Sequence, residues 1–181
     1  MHTINARKLS WAVAGVILAT SIASGEPDLV RPADAPVRAS RVRLRATMHA
    51  AAVTRALAGA RRRMQRPGCQ RLFTDFQDEG GRPLREALER YGASGEEYLD
   101  RLVFYDGTHQ AICDRKAVLA YTSPGNQVVF VCSPQFTRAA FADPRLAEAA
   151  LIHESLHSLG LGENPPTSRE ITARVLSRCR S

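Results

Sequence analysis

Three kinds of hydrophobic pattern follow one another along the chain, and each predicts a different element. An apolar stretch runs from Trp11 to Ile22, with Arg7 and Lys8 before it and a small-residue cleavage site at its end, Ser21-Ile22-Ala23 or Ala23-Ser24-Gly25. It is too short to span a bilayer comfortably, and the order basic, apolar, small predicts a cleaved signal peptide over residues 1–25. Residues 26–37, with Pro27, Pro32 and Pro36, read as an extended linker. Beyond it Val53, Leu57, Ala60 and Met64 recur at three- and four-residue steps, so the spacing predicts a basic amphipathic helix over 38–66, ended by Pro67 and Gly68.

From Cys69 the pattern shortens. Cys69 to Phe76 fits helix or strand equally, Asp78-Glu79-Gly80-Gly81 is a turn, and Pro83 to Tyr91 is a short amphipathic helix stopped by Gly92. Ser94 with Glu97 forms a capping box opening a further helical turn. After Arg101 runs of β-branched and aromatic residues predict strands at Leu102 to Tyr105, Ala111 to Cys113, Val118 to Thr122 and Val128 to Cys132. Short connections favour an antiparallel arrangement. Asp143 then suits an N-cap, Pro144 the first helical position and Gly160 the position after the last turn, and Leu146, Ala149, Ala150, Ile152, Leu156 and Leu159 make that helix apolar on most sides. Ser168 to Cys179 predicts a final helix with Ile171, Val175 and Leu176 inward. The expected fold is therefore α+β, a short antiparallel or mixed sheet over 67–181 packed on the Pro144 helix and preceded by the basic helix.

Composition changes this picture in two places. Losing Arg7 and Lys8 with the signal lowers the formal charge from +7 to +5, and arginine carries nearly all of it, Lys8 and Lys116 being the only lysines. Arg38, Arg41, Arg43, Arg45, Arg55, Arg61, Arg62, Arg63 and Arg66 fill the basic helix, a surface suited to an anionic envelope partner or to a removable pro-segment. With no aromatic residue there to stack on bases, the stretch argues against nucleic acid. Cys69, Cys113, Cys132 and Cys179 are even in number, widely spaced and free of any C-x-x-C pair, a usage that fits disulfides in a secreted or periplasmic protein. Of the three possible pairings, Cys113 with Cys132 would clip neighbouring strands and Cys69 with Cys179 would tie the front of the domain to the last helix; sequence alone leaves the choice open.

The candidate chemistry lies on the Pro144 helix, in the run H-E-S-L-H from His153 to His157. Residues four apart stand one above the other on a helix, so His153 and His157 can offer two imidazole nitrogens to one ion, half of a tetrahedral zinc site. Glu154 is then directed beside the metal, where it can accept a proton from a water that the zinc polarises. A third ligand has two candidates. Glu163 follows a glycine that lets the chain turn back under the helix, and Glu170 lies on the next helix, where Thr167-Ser168-Arg169-Glu170 also reads as a capping box.

With Gly160 and Glu163 the run becomes H-E-x-x-H-x-x-G-x-x-E, which resembles the zincin metallopeptidases and, in spacing, their metzincin branch; Glu170 would resemble the gluzincin branch. No methionine follows Met64, so the metzincin methionine turn is absent. The resemblance implies a small zincin-like domain holding one Zn2+ per chain on His153, His157 and Glu163, with Glu154 as general base in peptide-bond hydrolysis. It also implies that the strand before the helix borders the cleft, so that Gln127 to Ser133 would pair with an extended peptide substrate. Stabilisation of the oxyanion would fall to Tyr105, Tyr121, His109 or none of them. The alternatives are a zinc-site protein of the envelope that binds without turnover, and a peptidase or amidase acting on peptidoglycan stems.

Overall fold

In the computed structural model, which describes residues 41–163 and 165–180, three helices form the layer on which the site is built. These are α1 (Thr47–Met64), α6 (Ser133–Ala142) and α7 (Pro144–Ser158), each packed against the other two. Between α1 and α6 the chain forms α2 (Pro67–Gln70), α3 (Leu72–Asp75), α4 (Leu84–Tyr91), α5 (Gly95–Leu99) and most of the sheet, and α8 (Ser168–Arg178) follows α7. The signal and linker read in residues 1–37 lie outside the described residues.

Helix α1 is a core element and no appendage. Ala52, Val53, Ala56, Leu57, Ala60 and Met64 are buried, and a Cβ at Gly59 would collide with the Glu148 carboxylate of α7, so small residues here let the two helices approach closely. Removing this stretch as a pro-segment would strip one wall from the hydrophobic core, and a boundary at Pro67 divides nothing structurally. Part of the arginine run is also spoken for: Arg63 pairs with Glu148 and donates to the Cys179 carbonyl at 2.7 Å, and Arg61 lies 3.3 Å from Asp100. Arg41, Arg43, Arg45, Arg55 and Arg62 stay exposed.

The expected helix starts later than its charge pattern suggests. Residues Arg41–Arg43 form a strand, β1, because Arg-Val-Arg-Leu alternates with period two and turns Val42 and Leu44 towards the core. With β2 (Val103–Asp106), β3 (Ala120–Tyr121) and β4 (Val128–Val131), it makes a sheet of order β1-β2-β4-β3. β1, β2 and β4 run parallel and only β3 is antiparallel, so the sheet is mixed. The helices from α1 to α5 supply the crossover that a parallel β1–β2 pair needs. Phe104, Val129, Val131 and Ala120 face the core; Tyr105, Phe130 and Tyr121 form an aromatic row on the other face.

One further element differs from expectation, and one left open becomes definite. Ala111–Asp114, expected as strand, is a 3-10 turn whose Cys113 is disulfide-bonded to Cys132, so the bond clips a loop to the head of α6. The ambiguous Cys69 to Phe76 is helical: Cys69, Leu72, Phe73 and Phe76 are buried at steps of three and four, the spacing of one helix face. Cys69 pairs with Cys179 at the end of α8. The expected punctuation is present at Gly92, in the left-handed region with φ +55°, and in the capping boxes of Ser94 with Glu97 and Thr167 with Glu170. Among the described residues, no helix is long and apolar enough to cross a membrane.

Candidate metal centre

The site begins with how α7 is capped. Asp143 accepts hydrogen bonds from the amides of Arg145 and Leu146, and Pro144 occupies the first turn, so the helix starts where the sequence places it. It ends at Ser158, and the chain then turns at Gly160, whose φ of +110° only glycine adopts without strain. The amide of Gly160 donates to the His157 carbonyl at 2.8 Å and that of Leu161 to the Leu156 carbonyl at 3.1 Å, which reverses the chain and returns it beneath the helix.

That reversal brings the candidate ligands together. His153 Nε2 and His157 Nε2 lie 2.9 Å apart, and Glu163 Oε1 stands 3.3 Å from His157 Nε2 and 3.9 Å from His153 Nε2. Both imidazoles are only about a twentieth exposed, whereas Glu163 is open to solvent on one side. Glu170 is elsewhere: its carboxylate accepts from the Thr167 amide and hydroxyl, both at 2.8 Å, and those bonds hold its pKa below the usual carboxylate value. The capping role consumes the residue that would otherwise compete for the ion.

The far side of each ring is also held. His157 Nδ1–H donates to the Leu161 carbonyl at 2.7 Å, which leaves Nε2 as a lone pair facing the site. His153 Nδ1 lies 2.9 Å from the Thr172 hydroxyl of α8, a group that donates or accepts by rotating. Without a cation, His153 Nε2–H can bond to His157 Nε2; with one, both Nε2 atoms turn lone pairs to it. Outer partners of this kind fix ring orientation at metal sites.

A metal ion fits this donor set. Around a tetrahedral ion with bonds of roughly 2.0–2.2 Å, neighbouring ligand atoms stand about 3.3–3.6 Å apart, and the three observed separations bracket that range. Burial, reinforced by His157, pushes the His153 pKa down to about 3, so the pocket refuses a proton in the position where a cation would sit. Among the described residues, His153, His157 and Glu163 form the group able to hold a metal ion.

Glu154 sits one residue after His153, 6 % exposed, and its Oε2 has no hydrogen-bond partner among the described residues. Burial and then the charge of Glu163 raise its pKa to about 8, against a smaller opposing pull from the Thr122 amide. A buried carboxylate oxygen without a partner is costly, and it is retained here where it faces the cleft.

The cleft has two lobes that share His153 and Glu154. One, of about 450 Å³, contains His157 and Glu163 with Tyr121, Thr122 and Arg115; the other, of about 460 Å³, runs between α7, α6 and residues 116–120. Of the three oxyanion candidates only Tyr121 lines either lobe. The expected substrate edge needs correction. β4 is interior, paired to β2 along its length and to β3 at Phe130 and Val131, with the Val128 carbonyl taken by the Thr122 hydroxyl at 2.6 Å. Gln127 to Ser133 therefore has no free edge to offer, and among the described residues the unpaired strand edge beside the site is that of β3. Thr172, the Leu161 carbonyl and Thr122 were not legible from the motif; only their positions one helix or one turn away tie them to it.

Comparison with protein-family models, with curated proteins and with solved structures finds no match to this chain.

Proposed function

We propose that the chain is a zincin-like, zinc-dependent peptidase acting outside the cytoplasm, with one zinc on His153, His157 and Glu163 and with Glu154 as general base. The observation that carries the reading is the unpartnered, buried Oε2 of Glu154 beside two imidazoles whose outer nitrogens are already engaged. A purely structural metal site has no use for that carboxylate. The two disulfides support an oxidising compartment.

When bound there, zinc supplies a Lewis acid that acidifies water and polarises a carbonyl. A cation at the histidines also favours the ionised form of Glu154, offsetting the burial that otherwise keeps it protonated. Glu154 then takes a proton from the water attacking the scissile carbonyl carbon and delivers it to the amine nitrogen as the C–N bond breaks. Thr172 and the Leu161 carbonyl keep the two rings oriented throughout. The free edge of β3 offers backbone groups to an extended peptide, replacing Gln127 to Ser133 in that role.

Zinc-loaded protein is expected to cleave an unstructured protein such as casein, and a chelator to stop it. Glu154→Gln should retain zinc, measured by plasma mass spectrometry, while losing about 10²–10⁴-fold in rate. A Glu154→Gln protein as active as its parent would overturn the reading. Cleavage of purified sacculi in place of casein would move the substrate to peptidoglycan stems.

A further inference from the structure

The lobe between α7 and α6 has features that the hydrolytic chemistry does not use. Its floor is apolar, made by Leu119, Ala139, Leu146 and Ala150, and two cations border it, Lys116 from the loop before β3 and Arg138 from α6. Both are exposed, and neither takes part in an ion pair among the described residues. Among the described residues the only carboxylate lining the lobe is Glu154, which the proposed reaction already employs. Lys116 is moreover the sole lysine after the signal segment in a chain that otherwise uses arginine. The volume of about 460 Å³ is that of a binding pocket, within the roughly 300–1,000 Å³ such sites occupy.

We propose that this lobe is a subsite selecting peptides that carry a carboxylate next to the scissile bond, the methylene stem lying on Leu146 and Ala150 and the carboxylate meeting Arg138 and Lys116. The inference rests on the peptidase reading and names its substrate class. Because the lobe shares His153 and Glu154 with the metal centre, a group bound in it belongs to a residue adjoining the bond to be cut, an extended residue spanning only about 3.3–3.6 Å. The guanidinium of Arg138 gives a planar fork for a carboxylate and Lys116 a mobile point charge, so the pair accommodates more than one approach. Two sources carry this chemistry, an acidic side chain within a chain and the free carboxylate at a chain end.

The test uses zinc-loaded full-length protein and quenched fluorescent peptides in matched pairs, Glu against Gln at one internal position and a free against an amidated C-terminus. The carboxylate member of at least one pair should be cut with a kcat/KM about tenfold higher, the size of a charge-assisted hydrogen bond. Which pair responds identifies the source. In Arg138→Gln/Lys116→Gln that ratio should fall towards one, and in Arg138→Glu it should invert in favour of a Lys peptide. Anisotropy with the same labelled peptides on Glu154→Gln protein reads binding without turnover. Equal cleavage of both members of both pairs overturns the subsite and leaves the peptidase reading standing. Selective binding of the carboxylate peptides, with no peptide cleaved by the zinc-loaded parent, upholds the subsite and sinks the peptidase. Equal or absent binding in both pairs overturns the subsite.

Discussion

On the helix side of the cleft, His153, Glu154 and His157 are each within a few percent of full burial, flanked by Ser155 and Leu156 with no exposed surface. On the opposite side Arg115, Lys116 and Ala117 stand in solvent, on a loop anchored by a 3-10 turn, the Cys113–Cys132 bond and the 2.9 Å hydrogen bond from the Cys132 amide to the Leu119 carbonyl. The first wall holds its groups through dense packing, the second through a few discrete ties. The proposed bond-making chemistry, which tolerates little displacement, lies on the first; the proposed recognition of a flexible substrate, which tolerates more, lies on the second.

The largest expected effects come from the two disulfides, of which Cys113–Cys132 bears on this contrast directly. Replacing Cys69 and Cys179 by serine opens a separation of 110 residues and should cost about 5 kcal/mol of stability on the chain-entropy estimate. The same change at Cys113 and Cys132, 19 residues apart, should cost about 3 kcal/mol, and it should loosen the lysine-bearing wall while leaving zinc affinity largely intact. Denaturant titration with parallel zinc binding checks both, and zinc lost in the second variant would show that the walls are not independent. Next in size, Glu163→Ala should weaken zinc at least about 100-fold, more than an outer partner contributes. Thr172→Val, isosteric but unable to bond to His153 Nδ1, should weaken it by about tenfold. Smallest is Glu170→Ala, expected to cost about 1 kcal/mol through the lost cap and to leave zinc unchanged; zinc loss in that variant alone would reassign the third ligand.

How legible each part was follows from how local its cause is. The α7 site could be read because its cap, first turn, ligand spacing and terminal glycine all lie within about twenty consecutive residues and obey one period. Glu163 and Glu170 could not be separated by spacing; they are separated by competition, since Thr167 offers Glu170 a cap and nothing offers Glu163 one. β1 was hidden because Arg41 to Arg45 reads as charge before it reads as alternation. The parallel strands were missed because register between Val42 and Phe104 is decided by core packing across some sixty residues. The buried width of α1 was underestimated because Ala52, Ala56 and Gly59 carry little hydrophobic signal and act through closeness.

Helix α7 ends at Ser158, so both imidazoles occupy its last two turns. The aligned peptide dipoles place about half a negative charge at that end, a field that attracts a cation and discourages an ionised carboxylate. Burial and then the charge of Glu163 raise the Glu154 pKa to about 8, so the carboxyl is protonated near neutral pH, and the field at the helix end acts in the same direction. In the proposed zinc-loaded protein, a cation held by His153, His157 and Glu163 would favour the ionised form of the Glu154 carboxyl. On that proposal loading and arming would be a single event, since without zinc the chain would lack the Lewis acid and the ionised base together.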